Sequence, residues 1–438
     1  MCDATGEAPF LEAAAAVGAR LCRDAVWDGA RCNWMGDAQD GVAGRLAVVH
    51  RAMGPVLYDG TAGIGLFLAR LFAATGERPF RTAARGALRQ ALGGMERVPG
   101  EMRIALHAGW TGIAWALAEA GEALGEERWT AESKRVSAAL REVPPHPAAV
   151  DVISGSAGAV PVLLELARRH GDAALAGHAV RHGEFLLAGA RRGDAGLSWR
   201  TMDAPMRADL TGYSHGAAGV ALALLELAAA TGEPRFREAA DEGFRYESRW
   251  FSAEHGNWPD FRLFGDPAEA ASTPAGHAMA WCHGAPGIGL SRLRAWALTG
   301  DEARRREAEA ALATTARALD ASIQTGAGFG YSLCHGDAGN AELLLLAARL
   351  LGDPAHRERA ERVGRAGIDR YLLPRAPWPC GVPAGGETPG LMLGLAGIGW
   401  FYLRLHDPDV PAVLLVHPRD ETAASAAPRS AAWDAVPA

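Results

Sequence analysis

Two Cys-His pairs stand out in this chain: Cys282-His283 in AWCHGAPGIGL and Cys334-His335 in SLCHGDAGN, each followed at once by Gly-x-x-Gly. Thiolate sulfur and imidazole nitrogen are borderline-soft donors of the kind zinc takes, and three protein ligands leave a fourth position open, as catalytic zinc sites do. Cys282, Cys334 and one imidazole, His335 in preference to His283, would make such a set. The competing reading is that both cysteines are small buried residues in tight turns, as most free cysteines are. The sequence interval between them is long, so a shared site requires a fold that brings the two motifs side by side.

The elements that could do this repeat along the chain. Gly-x-x-Gly occurs seven times, as Gly60-Gly63, Gly109-Gly112, Gly155-Gly158, Gly216-Gly219, Gly284-Gly287, Gly336-Gly339 and Gly394-Gly397. In the first six copies a third glycine follows at a fixed distance (Gly76, Gly125, Gly171, Gly232, Gly300, Gly352), and an acidic residue follows it in turn. The intervening segments, such as Ile64-Gly-Leu-Phe-Leu-Ala-Arg-Leu-Phe72, are apolar on nearly every face, which predicts buried helices roughly 20 Å long. Between them lie patterns with one charged side: Phe80, Ala84, Leu88 and Leu92 share a face, with Arg81, Arg85 and Arg89 opposite. Counting LEAAAAVGARLCRDAV as the first outer element gives seven outer and seven inner helices, with no alternating β-branched run to propose a sheet core. The expected fold is therefore all-α: a closed α/α toroid over residues 1–418, with 419–438, rich in Ala, Ser and Pro, as a disordered tail.

The residues just before each first glycine should then face one end of the central cavity. They read Tyr58-Asp59, His107-Ala108, Ile153-Ser154, Ser214-His215, Cys282-His283, Cys334-His335 and Met392-Leu393. A scaffold alone would make these positions alike; the polar and soft-ligand residues instead gather in the fourth to sixth copies, as in a site grafted on a symmetric frame. Cys282 and Cys334 become neighbours in such a frame. His107 reads as a structural histidine, and Glu254–Arg262 either lines a peptide entrance or wraps the rim. Paired carboxylates for glycoside hydrolysis are a poor fit, since only Asp59, Asp151 and Asp337 lie near suitable positions.

Composition narrows the class. The 438 residues carry a net charge of -7, which removes the footprint of a general nucleic-acid binder, and no uninterrupted apolar run is long enough for a membrane span. Acidic residues stand where a secretory signal would be positive, so a cytoplasmic protein is expected. Six cysteines in a reducing compartment read as free thiols or ligands; Cys2, Cys22, Cys32 and Cys380 have no place in the repeat and are taken as unliganded.

The motifs YDGTAGIGLFLARL, DVISGSAGAVPVLLELA, GYSHGAAGVALALLELA, WCHGAPGIGL, SLCHGDAGNAELLLLAA and LMLGLAGIGWFYLRL together resemble the lanthionine cyclase (LanC-like) family over almost the whole chain. Their wording is closest to the cyclase half of fused class II dehydratase-cyclase enzymes. The resemblance implies one zinc on Cys282, Cys334 and His335, and addition of a peptide cysteine thiol to dehydroalanine or dehydrobutyrine in a dehydrated ribosomal precursor peptide. A coordinated thiol is ionised at neutral pH, and the enolate formed on attack needs a proton at its α-carbon. His215 matches the family histidine of acid-base work, Asp151 a family acid beside it, and His283 a position that is tyrosine in some members. Where some cyclases carry arginine this chain has Ala278, which leaves enolate stabilisation to another group, His283 or His277. A separate dehydratase would serve the chain if it stands alone; otherwise it is a domain cut from a longer protein. Two other outcomes share the same zinc: transfer of a small thiol such as glutathione to dehydroamino acids, and a non-catalytic peptide-binding scaffold.

Overall fold

Glycine sets where the inner helices start and stop. The computed structural model describes residues 8–42, 45–263, 272–326, 328 and 330–418, so the expected tail at 419–438 and Cys2 lie outside the described residues. Among these residues fourteen α-helices alternate between an outer and an inner layer: α1 (Ala8–Asp24), α2 (Thr61–Thr75), α3 (Arg78–Gly94), α4 (Trp110–Leu124), α5 (Glu127–Leu140), α6 (Ser156–His170), α7 (Ala173–Ala188), α8 (Ala217–Thr231), α9 (Pro234–Arg249), α10 (Ala285–Thr299), α11 (Glu302–Thr325), α12 (Asp337–Leu351), α13 (Pro354–Gly367) and α14 (Leu395–His406). Even-numbered helices are inner, odd-numbered outer. Each inner helix packs on the next, and α14 returns to α2, so the inner layer is a closed ring. Outer helix α1 packs on α14, which joins the first element to the last. This is the expected α/α toroid of seven inner and seven outer helices.

The repeated glycines have a steric cause. A Cβ on the second glycine of a copy would lie 1.8 Å from the Leu106 carbonyl at Gly112, 1.9 Å from that of Trp281 at Gly287 and 1.7 Å from that of Leu333 at Gly339. Only glycine lets the start of an inner helix press on the loop that leads into it. The acidic residue after the third glycine starts the outer helix; Asp172, Asp301 and Asp353 accept a backbone N–H there as N-caps.

Two features depart from the sequence expectation. Among the described residues three antiparallel hairpins lie between helices, β1 (Val26–Asp28) with β2 (Arg31–Asn33), β3 (Met35–Val42) with β4 (Arg45–Ala52), and β5 (Arg191–Gly193) with β6 (Gly196–Ser198). They are isolated two-stranded ribbons, and short turns such as Gly29 at φ 56° suffice to close them. The inner helices, moreover, are not purely apolar. Seven positions after the second glycine stand Arg70, Glu119, Glu165, Glu226, Arg294 and Arg404. Glu165 pairs with Arg168 and Arg169 of its own helix, and the others pair across neighbouring inner helices: Arg70 and Arg169 with Glu119, Arg294 Nε with Glu226 at 2.6 Å, and Arg404 Nε with Glu342 at 2.6 Å. Breaking a buried pair leaves an uncompensated charge. Arg294→Met is therefore expected to lower unfolding stability by about 3–5 kcal/mol in urea titration, and Arg294→Met with Glu226→Leu by much less.

The loops before the inner helices form the floor of the toroid, tied by backbone hydrogen bonds. Tyr58 N donates to His107 O (2.9 Å), His107 N to Ile153 O (3.2 Å), Val152 N to Ser214 O (3.0 Å) and Ser214 N to Cys282 O (3.3 Å). Farther round, Cys334 N donates to Met392 O (2.9 Å) and Met392 N to Tyr58 O (2.7 Å). Six of the seven junctions between copies are thus bridged main chain to main chain. At the seventh, between the fifth and sixth copies, the described residues meet through side chains instead: Asn340 Nδ2 donates to Met279 O (3.0 Å), and the Cys-His pairs face each other. The buried segment Val413–Val416 joins the core, its Leu414 carbonyl accepting from Trp281 Nε1 at 2.9 Å. Among the described residues no helix is long and apolar enough to cross a membrane.

Candidate functional site

The fifth motif turns differently from its sisters. Gly284 has φ 93°, a left-handed value, whereas Gly60, Gly109, Gly155, Gly216, Gly336 and Gly394 at the same place are extended. Asn257 braces this turn: its Oδ1 accepts from Ala285 N (2.8 Å) and its Nδ2 donates to Ala278 O (2.9 Å). The stretch Glu254–Arg262 is therefore no simple rim loop, since Asn257 and Trp258 in its middle are buried under the fifth motif.

With the turn so aimed, Cys282 meets the sixth motif. The Sγ atoms of Cys282 and Cys334 and a ring nitrogen of His335 lie within 4.8 Å of one another, a group able to hold a metal ion. His335 Nε2 donates to Gly381 O at 2.8 Å, which fixes the tautomer and leaves Nδ1 as the lone-pair donor. The donor chemistry, the spacing and this outer hydrogen bond fit zinc. Without a metal the two sulfurs share protons unequally. The Cys334 thiol and the His335 imidazole hold Cys282 well below the ordinary thiol range, while that same contact and burial push Cys334 well above it. Elsewhere burial pushes Cys22 and Cys380 up to about 11 and Cys32 to about 12, so these thiols stay protonated and inert.

Beside the cysteines stands a histidine-carboxylate pair. Asp151 is buried, and its Oδ1 accepts from Ser154 N (2.7 Å) and Ser154 Oγ (2.8 Å). Its Oδ2 accepts from His215 Nδ1 at 2.5 Å, so His215 keeps Nε2 for other work. Burial pulls the His215 pKa down, but the hydrogen bond and charge of Asp151, with Cys282, outweigh it and leave the value above 6.5. The His283 ring stacks on that of His215 at 5.4 Å, is buried, and finds no hydrogen-bond partner for either ring nitrogen among the described residues. Burial holds its pKa down to about 4, so His283 is neutral at pH 7. His277 instead lies against His255, with ring centroids 4.0 Å apart.

Three groups escaped the sequence reading. Tyr58 Oη donates to Cys334 Sγ at 3.0 Å; its place before the first Gly-x-x-Gly was the available signal. Gly381, the partner of His335, carried none. Arg262 is held by Asp260 through Nε (3.0 Å) and Nη2 (2.6 Å), and its positive charge acts on His215, His283, Cys334 and His335. His107 is buried, 5.2 Å from the Trp281 ring and 6.0 Å from that of Tyr58, in the floor as expected, but among the described residues neither of its ring nitrogens has a partner. The three carboxylates near the floor are not paired: Asp59 faces Arg51 at 3.9 Å, Asp151 holds His215, and Asp337 accepts from Ser322.

Comparison with known proteins places these features in a family. A solved structure of nisin cyclase is similar over 81% of this chain and 89% of its own, with 18% identity and a TM-score of 0.63, and so shares the fold. A sugar epimerase from a ruminal bacterium (13% identity, 92% of this chain, 100% of its own, TM-score 0.46) and an unsaturated glucuronyl hydrolase specific for heparin (12%, 69%, 82%, TM-score 0.43) are weaker likenesses, and nothing is drawn from them. The profile described as lanthionine synthetase C-like protein matches residues 51–415, which span every inner helix and the whole site, and the chain therefore belongs to the lanthionine synthetase C-like family.

Proposed function

We propose that this chain is a zinc-dependent cyclase that forms lanthionine or methyllanthionine thioethers in a dehydrated ribosomal precursor peptide, working in the cytoplasm on the product of a dehydratase. Residues 1–418 would act as one unit, with Cys282, Cys334 and His335 as the metal ligands. One observation carries this reading: the Cys282, Cys334 and His335 group opens beside a histidine whose proton-bearing face is set by a buried carboxylate. Zinc, when bound, lowers the pKa of a coordinated thiol so that it is ionised at neutral pH.

The protein residues handle the charge and the proton. As the peptide sulfur bonds to the β-carbon of the dehydroamino acid, the double-bond electrons move to the carbonyl oxygen as an enolate. His283, neutral and without a partner among the described residues, donates a hydrogen bond to that oxygen. Arg262 adds positive charge, in place of the side chain that Ala278 lacks. His215, whose protonated form Asp151 favours, delivers a proton from Nε2 to the α-carbon and regains one from solvent or the next substrate thiol.

The test is a mass measurement. A peptide carrying one cysteine and one dehydroalanine, incubated with zinc-loaded protein, is expected to lose its free thiol with no change in mass. Added glutathione should not appear in the product; its appearance would favour intermolecular thiol transfer, and a protein that binds zinc but consumes no thiol would be a scaffold. Full activity in metal-free protein would overturn the proposal.

A further inference from the structure

Resting on that metal assignment, we propose that Tyr58 is a tuning residue of the metal centre, its phenol donating a permanent hydrogen bond to Cys334 Sγ so that this ligand sulfur is the weaker nucleophile. The Oη to Sγ distance is 3.0 Å. Tyr58 is anchored on both sides in the floor, its N bonded to His107 O (2.9 Å) and its O to Met392 N (2.7 Å). Its side chain is therefore delivered by a hydrogen-bonded chain of backbone segments rather than by a free loop. Cys334 is held in the same hydrogen-bonded chain through its N–H to Met392 O at 2.9 Å, so donor and acceptor are fixed to one carbonyl-bearing residue and cannot drift apart.

The chemistry gives the contact a purpose. A site with two ligand thiolates and an incoming substrate thiol holds three sulfurs that could attack an electrophilic alkene. Alkylation of a ligand would destroy the site. A hydrogen bond to a thiolate takes electron density from sulfur, lowers its nucleophilicity, and makes it a weaker donor to a metal, which in turn binds the remaining sulfur more strongly. Outer partners of this kind are worth about 10–100-fold in affinity or activity. Of the two cysteines, it is the more buried one, Cys334, that receives the phenol.

Cobalt(II) in place of zinc reads this directly, without turnover. Full-length protein loaded with one Co(II) should show thiolate-to-cobalt charge-transfer bands; their absence would reject the thiolate metal site itself and not the tuning role. Given those bands, Tyr58→Phe is expected to keep one Co(II) per chain, with the charge-transfer band moved to lower energy because the sulfur lone pair rises. Site-specific 3-fluorotyrosine at position 58, a stronger donor, should move it the other way and provides the readout if Tyr58→Phe does not fold. A band that stays in place in either variant overturns the inference.

Discussion

Cys334→Ala is expected to abolish stoichiometric zinc binding and to slow thioether formation by at least about 30-fold at pH 7, the factor that follows from a free thiol of pKa about 8.5 being only about 3% thiolate there. Loss of orientation multiplies that figure. The same change should also be felt as stability, because the Cys-His pairs face each other at the junction of the floor where the described residues make no backbone bridge. In the parent, zinc at a hundred times its Kd is worth about 2.7 kcal/mol through binding to the native state alone. Zinc should therefore raise the parent melting temperature and leave that of Cys334→Ala unchanged. Amide exchange would locate the gain: the loops leading into α10 and α12 should become protected on metal addition, and the six hydrogen-bonded junctions should respond little. Inductively coupled plasma mass spectrometry and free-thiol counting check the first part. A variant that retains one zinc and the parental rate refutes the ligand assignment.

The positions of the inner helices were legible because glycine records a collision. A Cβ cannot coexist with the carbonyl that lies against Gly287 or Gly339, so the residue type repeats wherever the contact repeats. The metal candidates were legible for the opposite reason: Cys282 and Cys334 break the likeness among positions that the scaffold makes equivalent. The charge belt at Arg70, Glu119, Glu226 and Arg294 was hidden by its surroundings, one or two ionisable residues per helix amid apolar neighbours, although a fixed offset from glycine marked it. The hairpins between Val26 and Ala52 escaped because their buried side, Cys32, Trp34, Gly36 and Ala38, carries no β-branched residue to mark a strand. Arg262 and Asn257 come from an irregular stretch with no period, and only tertiary placement shows that one braces the fifth motif while the other charges the site. Tyr58 could be placed in the floor, but its bond to Cys334 depends on a side-chain direction that spacing does not carry.

His215→Ala is expected to leave zinc stoichiometry intact and to slow ring closure by about 10²–10⁴-fold, the span for loss of a positioned acid-base group. The pH profile supplies the sharper test, because Asp151 and burial pull the His215 pKa in opposite directions. In the parent the carboxylate prevails and the imidazolium persists above pH 6.5, so a rate that needs the protonated form falls only as pH rises through that elevated value. Asp151→Asn removes the hydrogen-bonded charge and leaves burial acting almost alone. The pKa of His215 should then fall, and the high-pH decline of kcat/KM should move to lower pH, given the contact of 2.5 Å. The variant should therefore be slowest towards alkaline pH, and at lower pH much of the deficit should be recovered. Ser154→Ala, which frees Asp151 Oδ1 from one of its two donors, should shift the decline less and in no case abolish activity. A decline that keeps its parental position in Asp151→Asn, with activity reduced equally at every pH, would make Asp151 a packing residue and transfer the proton to another group. His283 could not take that part as imidazolium, since burial holds it neutral down to a pH of about 4.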